Sequence, residues 1–155
     1  MTTKGLFTAA IVVAVFSGLV LAQSTDPLVG RWKLNVAKSK GAPAKSGMTR
    51  VEAAGAGVKF TVDLVDADGT AHHWMFTANY DGKDNPVTGN SPYGDVVALT
   101  RVDERTWSIT TKRDGKVTVT QTIVVSADGK TRTTATKGTN AKGQPVDSVS
   151  FYEKQ

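Results

Sequence analysis

Few side chains here are spaced for chemistry, and those that are lie in alternating, extended segments. Gln121 interrupts a row of alternate apolar residues, Val117, Val119, Ile123 and Val125. If that row faces an interior, the amide needs partners, because a buried unpaired polar group costs about 1–3 kcal/mol. A ligand, an internal water or a side chain on a neighbouring strand would each serve. Arg101 follows Val97 and Leu99 on one side of its segment. Turned inward near an opening, its guanidinium suits a carboxylate or phosphate. Placed past the rim beside Asp103 and Glu104, it is solvated, as charged side chains usually are. His72 and His73 adjoin, so on a strand they face opposite sides and do not readily share a metal ion. With no Cys and no third His in the chain, a His-rich zinc site is not available. His72 is expected in the core or at a rim beside Trp74. No Ser stands in a nucleophile-elbow motif, and Gly55 and Gly57 fit a turn, not a phosphate-binding loop. No metal or cofactor is expected, and no set of acid, base and nucleophile that would mark an enzyme is legible.

Charge gives a second, weaker signal. The chain carries 19 Lys and Arg against 14 Asp and Glu, a formal charge of +5. That excess is mild and alone implies no nucleic-acid partner. Two stretches are basic only: Lys33, Lys38, Lys40, Lys45 and Arg50, then Lys130, Arg132, Lys137 and Lys142 between Asp128 and Asp147. They make either a solvated face or a patch for an anionic surface such as a lipid headgroup or acidic polymer. Aromatic residues are not interleaved with these charges, which argues against a platform for stacking nucleic-acid bases.

The elements that position these residues are strands. Asp-Gly occurs at Asp68-Gly69, Asp81-Gly82, Asp114-Gly115 and Asp128-Gly129, mostly between Val- and Thr-rich segments. Asp-Gly between alternating segments is a strong hairpin signal, since tight turns need positive φ. About ten strands are expected: Val29–Val36, Thr49–Ala53, Val58–Val65, Ala71–Asn79, Val96–Val102, Thr106–Lys112, Lys116–Val125, Lys130–Lys137 and Val146–Glu153, with a short or irregular piece over Pro86–Thr88. A polar connection, Ala37–Gly47, follows the first strand. Val58, Phe60, Val62 and Leu64 share one face, Trp74, Phe76 and Ala78 align with His72, and Trp107 and Ile109 align with Thr111. One apolar and one Thr-rich face is the pattern of an antiparallel sheet solvated on one side. Closing such a sheet hides its edges, and hairpin connections favour an up-and-down antiparallel barrel over a sandwich.

The first residues read differently. Leu6 to Ala22 is almost wholly apolar after Lys4, and Val20-Leu21-Ala22 supplies residues that a signal peptidase tolerates. A secretory signal peptide over residues 1–22, cut before Gln23, is expected, leaving a single domain over residues 23–155. Seventeen residues interrupted by Ser17 and Gly18 are marginal for a membrane anchor. Export to the periplasm or the exterior follows, and without cysteines the domain is held by its core alone.

Val29-Gly30-Arg31-Trp32-Lys33-Leu34 resembles the opening strand of the lipocalin and fatty-acid-binding protein superfamily, which begins Gly-x-Trp. The ending Phe151-Tyr152-Glu153-Lys154 is similar to the last strand of the intracellular fatty-acid-binding proteins. The resemblance implies that Gly30 and Trp32 close one end of the barrel. It also has departures. The position where those proteins hold the ligand carboxylate with an Arg is Ser150 here. The last strand has no Arg to stack on Trp32, and Gly41, Pro43 and Gly47 should prevent two lid helices after the first strand.

The expected function is non-enzymatic binding of a small, partly apolar or amphipathic molecule inside a monomeric barrel. Phe60, Val62, Trp74, Leu99 and Val119 would supply apolar wall, and Gln121, Arg101 and Tyr152 would orient a polar head. The competing expectation is a filled barrel whose basic outer surface binds a component of the cell envelope.

Overall fold

A computed structural model describes residues 26–41 and 44–155. The expected signal segment and the Ala42-Pro43 part of the first connection lie outside the described residues. The described residues form eleven strands: β1 (Gly30–Leu34), β2 (Ala44–Ala54), β3 (Gly57–Asp66), β4 (Ala71–Asn79), β5 (Asp81–Pro86), β6 (Thr88–Gly89), β7 (Val96–Arg101), β8 (Thr106–Arg113), β9 (Lys116–Val125), β10 (Thr131–Thr139) and β11 (Pro145–Lys154). A 3-10 turn over Val36–Lys38 is the helical element among the described residues. All strands join one antiparallel sheet in the order β5-β7-β8-β9-β10-β11-β1-β2-β3-β4-β6. First and last strands pair, Trp32 opposite Lys154 and Leu34 opposite Tyr152. The sheet therefore rolls into a nearly closed, all-β, up-and-down barrel.

Its seam is made by the residues with the least strand character. β4 and β5 follow each other but do not pair. β5 runs along β7 and β6 returns to β4, opposite Trp74 and Met75. Asp81-Gly82 is thus no hairpin; it starts β5, where the register to β7 shifts. The other three Asp-Gly pairs do sit in hairpins. Asp114 and Gly115 have φ of 50° and 73°, and Arg113 pairs with Lys116 around them. Both central residues are therefore left-handed, as the type I′ form of a two-residue turn requires. At Asp68 and Asp128 the carboxylate accepts from the amide two residues on, Thr70 and Lys130, at 2.8 and 3.0 Å.

A boundary and a face differ from the sequence pattern. β2 begins at Ala44, inside the segment read as a connection, because Gly47 allows close contact with Leu34 and Leu64. β9 carries an extra residue at Thr118: Val119 lies opposite Thr111, but Val117 lies opposite Lys112. That bulge reverses the alternation, and Val117 is 59% exposed instead of continuing the inner row.

One end of the barrel is plugged. Leu28, Trp32 and Trp107 are fully buried there, and the Trp32 indole N–H donates to the Leu28 carbonyl at 2.9 Å. Lys154 lies over the Trp32 ring, 5.0 Å from its centroid. Its aliphatic chain occupies the space that a side chain at Gly30 would need, and Gly30 has a φ of 148°. The Gly-x-Trp pair thus has a physical reason: the Trp fills the end and the Gly lets a lysine stem cover it.

Candidate functional site

Above the plug lies a cavity of about 1000 Å³, opening between the β3–β4 turn, the segment between β6 and β7, and the β10–β11 turn. Alternation on β3 and β4 turns Phe60, Val62, Trp74 and Phe76 toward it, with Ile109 and Ile123 from β8 and β9. Phe60 and Phe76 stack with centroids 4.8 Å apart. The polar part of the wall comes from β10 and β11. Burial along β10 alternates, so Arg132, Thr134 and Thr136 point inward while their odd-numbered neighbours are less covered.

Arg132 is the residue that sequence reasoning missed. It is 3% exposed and lines the cavity. It pairs in register with Tyr152, and its guanidinium lies 4.2 Å from the Tyr152 ring centroid and 5.4 Å from that of Trp32. Nη2 donates to Thr49 Oγ1 at 3.3 Å. Nε and Nη1 are buried without a hydrogen-bond partner, as is Thr134 Oγ1 beside them in the strand. Among the described residues no carboxylate forms an ion pair with Arg132. Burial pulls its pKa below the ordinary value, with Tyr152 opposing the shift. An arginine nonetheless stays protonated in proteins, so the cavity holds a positive charge with hydrogen-bonding capacity to spare. Arg132 belongs to the stretch read as an outer basic patch; its side chain faces inward instead.

Of the residues expected to bind a ligand, Phe60, Val62, Trp74, Gln121 and Tyr152 line the cavity. Gln121 donates to Thr136 Oγ1 at 3.2 Å, so a neighbouring strand supplies one partner for the amide. Leu99 and Val119 are fully buried but do not reach the cavity. Arg101 lies at the plugged end. It donates to the carbonyls of Asp103 and Glu104, both at 3.1 Å, and packs over the rings of Trp107 and Tyr80. It takes the rim position beside Asp103 and Glu104, away from the cavity. Tyr80 donates to Asp26 there, and burial, then that carboxylate, raises its pKa.

The basic stretches are brought close only in part. β1 lies beside β11, and Lys38 forms an ion pair with Glu153 at 2.9 Å. Lys45 and Lys142 lie near Asp68 at the mouth, where the Thr70 amide, followed by smaller contributions that include these lysines, holds the Asp68 carboxyl below its ordinary range. His72 stands at the rim, as its place beside Trp74 implied, with Nε2 2.8 Å from Asp66. No cluster of three or more His, Cys, Asp or Glu able to hold a metal ion occurs among the described residues. Compared with known proteins, the sequence matches no family model and no curated relative.

Proposed function

We propose that this chain is an exported, non-enzymatic binder of a small, partly apolar molecule with an anionic head, held inside a barrel of the lipocalin and fatty-acid-binding type. One observation carries the reading: a cavity of ligand size contains a buried guanidinium, two of whose nitrogens have no hydrogen-bond partner and none of which pairs with a carboxylate among the described residues. An isolated buried charge costs several kcal/mol, and an anion accepting from Nε and Nη1 offsets that cost. Phe60, Val62, Trp74 and Phe76 take the apolar body of the molecule, and Arg132, Thr134 and Tyr152 take its head. The superfamily reading is supported by Gly30 and Trp32 at the plugged end and by the pairing of first and last strands. It departs at the head site, where the arginine is on the penultimate strand and the last strand offers Ser150 and Tyr152.

Fluorescence titration tests this. Anilinonaphthalene sulfonate should bind and brighten, and dodecanoate should displace it. Dodecanol should compete about tenfold more weakly, the ratio expected for one lost charge-assisted hydrogen bond. No uptake of the dye, together with no displacement by either chain, refutes the reading.

A further inference from the structure

We infer that His72 is a pH-operated latch on the mouth of the cavity, holding the segment 89–95 in place while its ring is protonated and loosening it when the ring is neutral. This rests on the cavity being the ligand site proposed above. The His72 side chain is 12% exposed. Nε2 lies 2.8 Å from Asp66 Oδ2, and Nδ1 lies 3.1 Å from the backbone carbonyl oxygen of Asn90. Both partners only accept. An imidazolium satisfies both; a neutral imidazole has a single N–H, so one nitrogen must present a lone pair to an oxygen. Each ring nitrogen therefore faces an acceptor, and only a ring with two N–H groups donates to both.

The segment that His72 grips spans the opening. Asn90 is tied to β4 by its amide to the His73 carbonyl at 2.9 Å and by its Nδ2 to the Ala71 carbonyl at 3.0 Å. Further on, the Pro92 carbonyl accepts from Ala141 in the β10–β11 turn at 2.9 Å. Tyr93 meets Trp74 edge-on, 6.3 Å between centroids. Of these ties, the contact to His72 is the one made by an imidazole nitrogen.

The other charged groups at the mouth are carboxylates, lysines and an arginine. On β3 and its turn they are Asp66 and Asp68, with Lys45 of β2 near Asp68. The segment itself contributes Asp95, β8 contributes Arg113, and the β10–β11 side contributes Lys142 and Asp147. Burial pushes the Tyr93 phenol up to about 12. The residue facing His72 across β3 is Leu64. The second imidazole, His73, is turned outward, with Nδ1 2.6 Å from Asp63. Imidazole changes charge between about pH 5 and 8. A charge that stabilises the latched form gives its full contribution at the acid end and loses it as pH rises through the titration.

The test compares wild type, His72→Gln and His73→Gln at about pH 5.5 and about pH 8, a span that crosses the imidazole titration. Without ligand, hydrogen exchange gives protection of the Asn90 and Ala141 amides relative to the intrinsic rate at each pH. With anilinonaphthalene sulfonate, stopped flow gives its dissociation rate. In wild type and His73→Gln, protection should fall and dissociation should quicken by about fivefold toward high pH, the size of one net hydrogen bond. His72→Gln should be flat. Unchanged protection in wild type, or a pH dependence that survives in His72→Gln, overturns the latch. A change in protection with no dye uptake upholds the latch and refutes the ligand site instead.

Discussion

At Arg132 a full positive charge lies under the rings of Tyr152 and Trp32 with one hydroxyl, Thr49 Oγ1, accepting from it. Two roles predict opposite outcomes on removal. If the guanidinium is a strut for the Trp32 plug, Arg132→Met loses stability. If it is a ligand contact carried at a cost, the empty protein gains or holds stability, because methionine fills similar volume without a buried charge. The account predicts the second: an unchanged or higher thermal midpoint for ligand-free Arg132→Met. A loss of more than about 2 kcal/mol in denaturant unfolding would assign it to the plug. The residue was not legible in the sequence because the inward row of β10 is Arg132, Thr134 and Thr136. With no apolar residue in that row, alternation marks no face. Tyr152, by contrast, could be placed, because it lies on the last strand among recognisable neighbours. Arg101 takes the second of its two expected positions: its row, Val97 and Leu99, does face inward, but the strand ends there and the side chain turns back to carbonyls of its own turn.

At the level of the element, turns were the most legible part and bulges the least. Asp114-Gly115 joins strands whose ends pair across two residues, both φ values are positive, and the residue types that allow this are visible in the chain. Nothing lies within 4 Å of the position a side chain would take at Gly115, and its φ is 73°. Gly115→Ala therefore meets a backbone cost alone, about 1 kcal/mol, readable as a lower denaturant midpoint with an unchanged slope. A cost near zero would mean that the turn adopts another form. The bulge at Thr118 left no such mark. Thr118 donates to the Thr111 carbonyl at 3.0 Å, a bond between two residues that both suit any strand. The seam strands β5 and β6 were hidden for a different reason: Asp81, Gly82, Asp84, Asn85 and Pro86 are poor strand formers, held extended by pairing with β7.

At the level of the whole molecule, alternation, turn chemistry and strand number lead to the same nearly closed sheet, which is why the barrel could be expected from sequence. Whether its interior is filled or empty is set by the volumes of all inward side chains at once, and no local pattern reports that sum. Threonines at Thr134 and Thr136 and the short wall they make leave the space that bulkier residues would have filled. The most direct test of the central claim is native mass spectrometry of the protein purified from its source and then incubated with dodecanoate, beside Arg132→Met treated alike. One acidic molecule should be carried or taken up per wild-type chain, with sharply reduced occupancy in the variant. A bare wild-type mass that stays bare after incubation, or equal occupancy in both proteins, would contradict it.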